Sequence, residues 1–276
     1  MPSTLWFAAL YITAFLCLTL TFIIVWLKNF RETRRFMPIG VALLLVVLVM
    51  DVAALYLAGT DAIGKPPWLL VLMIAVTSVR IYACAVVGTL LAHRLRVSHL
   101  GGANTHGATV RQPSYGVSTP SREALIYAML ATAFMVLYSV VLFRLSGASI
   151  AAGIQGEETL PIGISSLGIF LVAAVGLSEE IIFRLGLQTG LAYLWRSSRF
   201  GHHWAVLGTT ILWCVGHVGA LDPGWVKIVQ IFVFGLVLGY LNRRFGVVPC
   251  IITHVLFNVV MAMLVPTLLE YGALIT

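Results

Sequence analysis

The chain has 276 residues, of which 60% are hydrophobic and only 10% charged, against about 25% charged in an ordinary soluble domain. So apolar a chain excludes a water-soluble globular protein, which would carry extended exposed apolar patches. The net charge of +7 does not indicate nucleic acid, because the basic residues sit in short loops between apolar runs, where they report membrane orientation.

A helix needs roughly 20 apolar residues to cross a bilayer, and such runs recur along the chain. They predict an all-α, polytopic membrane protein of about eight transmembrane helices, near 5–27, 37–58, 68–92, 124–143, 163–194, 204–220, 226–241 and 247–269. Helices are the expected spanning form because lipid-exposed backbone must satisfy its own hydrogen bonds. Twelve Lys and Arg fall in alternate loops: Lys28, Arg31, Arg34 and Arg35; Arg94, Arg96, Arg111 and Arg122; Arg196 and Arg199; Arg243 and Arg244. Only Lys65, Arg144 and Lys227 fall in the other set of loops, and that asymmetry places the first set in the cytoplasm and both termini outside. Trp6, Trp26, Trp68, Trp195, Trp204 and Trp225 fall near span ends, where indole prefers the interface; Trp213 alone sits deep. The multi-pass membrane location is the cell membrane if the chain is bacterial.

The longest polar stretch, 93–123, reads as a mobile cytoplasmic linker. It divides an N-terminal three-helix unit (1–123) from a five-helix core (124–276). Ser118, Thr119, Pro120 and Glu123 resemble a helix start. The first apolar run lacks a basic segment before it, which argues against a cleaved signal peptide. Cys17, Cys84, Cys214 and Cys250 form no close pair, so they read as small buried hydrophobes.

Charges within a bilayer are costly and mark candidate function. Those inside the spans are Asp51, Arg80, Glu179, Glu180, Arg184, His217 and His254. Asp51 and Arg80 read as a structural pair. Glu180 and Arg184 are four apart in the order that favours an ion pair, whereas Glu179 points about 100° away and is free for another partner. His254 and Asn258 share a helical face. At 1.5 Å per residue, Glu179 lies roughly 22 Å, His217 roughly 21 Å, Asn258 about 18 Å and His254 about 12 Å from their cytoplasmic helix ends. Three helices can therefore aim polar groups at one level. From its other end His217 is only about 6 Å deep, which leaves the direction of access open.

A Glu with a His can activate water, while a second His and an Asn donate to a tetrahedral oxyanion. Zinc held by His217, His254 and a Glu is the alternative; no cofactor is firmly predicted. The chain carries no HExxH, GxSG or GxGD signature.

Glu179-Glu180-x-x-x-Arg184, then Trp213-x-x-x-His217, then His254-x-x-x-Asn258, in this order on separate spans, resemble the three motifs of the CPBP family. This family comprises the type II CAAX prenyl endopeptidases and bacterial relatives, including bacteriocin-immunity and lysostaphin-resistance-like proteins. The resemblance covers about 160–262. It implies an intramembrane endopeptidase, a hydrolase of peptide bonds, whose site opens toward the cytoplasm. Glu179 would be the principal carboxylate and act with His217 on water; Glu180 and Arg184 would support it; His254 and Asn258 would stabilise the oxyanion. Members of the family have been named both metalloproteases and glutamate proteases, and the metal-free reading is preferred. The second motif usually begins with Phe, so Trp213 is a departure, read as preserving an aromatic wall while changing its size and the fit of substrate.

The implied partners are the lipid bilayer and a lipidated or otherwise membrane-associated protein or peptide. A non-enzymatic immunity or scaffold protein of the same fold is the alternative function, but a pure binder has no need of the complete Glu/His/Asn set. A proton-coupled transporter ranks below both, because the internal symmetry common in transporters is absent.

Overall fold

The computed structural model describes residues 2–58, 67–101, 115–147, 149–150, 166–218 and 221–273. The main rods are α1 (Pro2–Lys28), α3 (Met37–Ala58), α4 (Pro67–Gly101), α5 (Arg122–Ser146), α8 (Gly201–Val215), α9 (Gly224–Phe245) and α10 (Val247–Ala273). A short α2 (Phe30–Thr33) precedes α3. One further rod is composite: α6 (Ser166–Glu179) runs through a π-helical segment, Glu180–Gln188, into α7 (Thr189–Leu194). The remaining regular structure among the described residues is a 3₁₀ turn, Arg34–Phe36, and an antiparallel pair of two-residue strands, β1 (Ser149–Ile150) and β2 (Leu221–Asp222).

The chain is a polytopic all-α membrane protein. Among the described residues five helices are long and apolar enough to cross a bilayer: 30–53, 74–96, 122–146, 224–245 and 247–264. Their outer faces carry exposed Val49, Val52, Leu130, Leu137 and similar residues, the surface that lipid covers. The main apolar cluster among the described residues runs from Phe22 and Val47 through Ile81 and Leu185 to Phe234 and Phe257, and a smaller one gathers Leu95, Tyr115 and Ala205. α3 packs on α6, and α4 on the π segment, so the N-terminal helices share the core with the C-terminal ones.

Small residues set the close approaches. Gly235 and Gly239, one turn apart on α9, face Thr210 and Val206 of α8; a Cβ on either glycine would come within 2.6 Å of those side chains. This is the close small-x-x-x-small packing of membrane helices, where backbones approach because no side chain intervenes. Gly246, at φ 86°, reverses the chain between α9 and α10 in a single residue, and its N–H caps Asn242. Only glycine adopts that conformation without strain.

The linker expected over 93–123 is narrower than the sequence implied. α4 continues to Gly101, and Tyr115 is buried, its hydroxyl 3.1 Å from His202 Nδ1. Burial pushes the Tyr115 phenol up to about 12. The Gly116 carbonyl accepts from Val247 N–H at 3.1 Å. Residues 102–114 lie outside the described residues, as do Lys65 and Arg111. The start of α5 falls at Arg122 with Ser121 as N-cap, its Oγ accepting from Ala124 N–H, three residues later than the Ser118 signal. Cys84, Cys214 and Cys250 are buried as expected, but Cys17 is exposed on α1.

Candidate active site

Glu179 closes α6, and Glu180 opens the π segment. A π-helical turn displaces carbonyls from their usual partners. Here the freed Arg184 carbonyl accepts from Thr189 Oγ1 and from Asn242 Nδ2, each at 3.1 Å. Every residue from Glu180 to Gln188 is buried. Gly88 on α4 lets that helix approach the Leu185 carbonyl, and Gly186 lies against Cys84. The irregular backbone is therefore enclosed by protein, the condition under which it is tolerated at membrane depth.

Glu180 and Arg184 pair at 3.4 Å with both side chains fully buried. None of the three guanidinium nitrogens has a hydrogen-bond partner among the described residues. The charge is held by the carboxylate on one side and the Trp213 ring, 5.1 Å from Cζ, on the other. Glu180 Oε1 accepts from His254 Nδ1 at 2.8 Å. Glu180 thus faces Arg184 and His254, while Glu179, turned away as the helical geometry predicts, faces the open side with 22% of its side chain exposed.

Both imidazoles direct Nε2 at Glu179. His217 Nδ1 lies 2.9 Å from the Trp213 carbonyl; a carbonyl only accepts, so Nδ1 carries the proton and Nε2 a lone pair. His217 Nε2 is 3.8 Å from Glu179 Oε1, and His254 Nε2 is 3.9 Å from Glu179 Oε2. Both separations exceed direct hydrogen bonds. Asn258, on the His254 face of α10, donates to the Val172 carbonyl of α6 at 3.0 Å. Gly176 permits that contact: a Cβ there would lie 3.2 Å from Asn258 Nδ2 and 3.5 Å from the His254 ring. All six residues singled out from the sequence are thus gathered on α6, the π segment, the end of α8 and α10. Among the described residues no trio of His, Cys, Asp and Glu is drawn together closely enough to hold a metal ion.

Three features differ from expectation. α8 ends at Val215 rather than continuing to 220, because the chain turns at Gly216, so His217 stands just beyond the helix. Trp213 is more than an aromatic wall: its Nε1–H donates to Glu179 Oε2 at 2.7 Å. Lys227, assigned from the sequence to an outer loop, lies on the first turn of α9. Its ammonium donates to Gln230 at 3.0 Å, and Gln230 in turn donates to Ser139 at 2.9 Å. Gln230 and Asn242, polar groups inside an apolar helical run, were the available signal for this second layer. At the exposed edge of the site His217 follows the C-terminal end of α8, the end opposite the loop that carries Arg199.

Residues 161–260 match the family described as type II CAAX prenyl endopeptidase, Rce1-like. The match supports the CPBP family for this segment. All six motif residues fall within it. A relative is the sporulation-killing factor biosynthesis protein SkfC of Bacillus subtilis (strain 168), 31% identical over 86 residues. That alignment covers 31% of this chain and 16% of SkfC, so the chain spans a small part of the relative's length. No solved structure matches. The match supports a function of the intramembrane protease type in general terms.

Proposed function

We propose that this protein is an intramembrane endopeptidase in which Glu179 is the base that activates water. The observation that carries the reading is the convergence of two imidazole Nε2 atoms on one partly exposed carboxylate. A water set to one side of the 3.8 Å gap between Glu179 Oε1 and His217 Nε2 can bridge both at hydrogen-bond distance, the position that general-base catalysis requires. Glu179 takes one proton, and the hydroxide adds to the scissile carbonyl carbon. Asn258, through its second amide N–H, and His254, when its Nε2 carries a proton, donate to the oxyanion that forms. As the carbon–nitrogen bond breaks, Glu179 returns its proton to the leaving amine, so the products are a carboxylic acid and an amine.

Glu180 orients His254 through Nδ1 in the way a buried carboxylate holds a catalytic imidazole. Arg184 balances the charge of Glu180. The substrate class is a lipidated or otherwise membrane-associated protein or peptide. SkfC is named for the biosynthesis of a factor, which agrees with maturation of a precursor rather than general degradation.

The test compares peptides in membranes from cells carrying wild type or Glu179→Ala at matched protein levels. A fragment present only with wild type is expected. Cleavage that survives Glu179→Ala, or identical peptide profiles, overturns the assignment.

A further inference from the structure

Of Glu179, Glu180, Arg184, His217 and His254, Trp213 touches all but Glu180. Its indole N–H donates to Glu179 Oε2 at 2.7 Å, and its own carbonyl fixes His217 Nδ1 at 2.9 Å. Its ring meets His217 and His254 edge to face, at 5.4 and 5.3 Å between centroids, and lies under the Arg184 guanidinium. Phe183 and Phe234 flank it, and only 1% of the residue is exposed.

We propose that Trp213 is a positioning residue: its indole N–H pins Oε2 of Glu179 and thereby designates Oε1 as the oxygen that faces His217 and water. The terminal torsion of a Glu side chain is broad and roughly two-fold, so packing alone does not decide where its oxygens point. One hydrogen bond to a fixed ring does. Burial keeps water from competing for the donor, and an N–H to carboxylate bond is roughly twice as strong as a neutral one. A phenyl ring at this position fills the same wall and holds His217 through the same backbone carbonyl, but it has no donor. The effect of Trp213 on Glu179 is therefore one of chemistry as well as size.

The inference deepens the protease reading, and its first test does not depend on proteolysis. In the full chain in detergent micelles, labelled with ¹⁵N at the indole nitrogens, the Trp213 N–H resonance is assigned by its loss in Trp213→Phe. Should that variant fail to fold, β-(3-benzothienyl)alanine at 213, which has the indole shape without the N–H, supplies the assignment. Glu179→Gln and Glu179→Ala are expected to shift this resonance and leave the indoles far from the site in place. A Trp213 resonance indifferent to both changes overturns the proposal, whatever the peptide comparison shows.

The second test uses the rate at which the Glu179-dependent fragment appears in membranes. Trp213→Phe and the benzothienyl variant both lose roughly 10- to 100-fold, the range for one hydrogen bond to a charged group. A benzothienyl variant as fast as wild type shows that shape suffices, and the proposal falls. If Glu179→Ala yields no missing fragment, the protease reading fails while the resonance experiment still decides the role of Trp213.

Discussion

Replacing Arg184 by Met tests whether the buried pair with Glu180 is a structural support. The guanidinium and the carboxylate are both fully buried at 3.4 Å, and the guanidinium has no hydrogen-bond partner among the described residues. Removing one member of such a pair costs about 3–5 kcal/mol, because the other is left as an uncompensated charge. Glu180 keeps one contact, the 2.8 Å bond from His254, which places the loss near the lower end, about 3 kcal/mol. Arg184→Met with Glu180→Gln removes both charges while the Gln carbonyl still accepts from His254. Replacing a buried pair by uncharged groups is often neutral, so the double variant should lose only about 1 kcal/mol. The assay is reversible unfolding in mixed detergent micelles, followed by far-ultraviolet circular dichroism, for the four members of the cycle. Single losses that simply add in the double variant, within about 0.5 kcal/mol, would refute the reasoning, as would an Arg184→Met variant as stable as wild type.

Two further outcomes follow from the packing and from the charge pattern. Gly239→Ala drives a methyl group to within 2.6 Å of Val206 Cγ1 and should destabilise by about 1–3 kcal/mol; adding Val206→Ala, which removes the obstructing methyl, should recover part of that in the same unfolding assay, and no recovery would show that the two helices do not meet there. Val218, one residue past His217 and 63% exposed, lies at the end of the bundle opposite Arg199. In a Cys17→Ala background, Val218→Cys should react with an impermeant maleimide on intact cells, and Arg199→Cys only after permeabilisation. The reverse pattern would place the open edge of the site on the cytoplasmic side, as the family resemblance implies.

Much of this protein was legible from the order of its residues. Hydrocarbon length and the alternation of basic loops specify a polytopic helical chain, because a bilayer admits few other spanning structures and loop charge sets orientation. The four-residue spacings of Glu180 with Arg184 and of His254 with Asn258 could also be read directly, since helical periodicity alone puts such pairs on one face. The rotation of Glu179 away from Glu180 follows from the same geometry.

Tertiary structure decided what those side chains meet. No sequence period announces that the indole of Trp213 reaches Glu179 across two helices, because hydrogen-bond partners 34 residues apart are set by helix packing. The π segment was hidden for the same reason. Its backbone is stabilised from outside, by Asn242 and by the close approach of α4 at Gly88, rather than by the propensity of residues 180–188. Lys227 looked like a loop charge until α9 carried it inward to Gln230. Local sequence determined which groups the membrane had to accommodate; only the packing of helices around Gly176, Gly235 and Gly239 determined which of them stand within reach of one another.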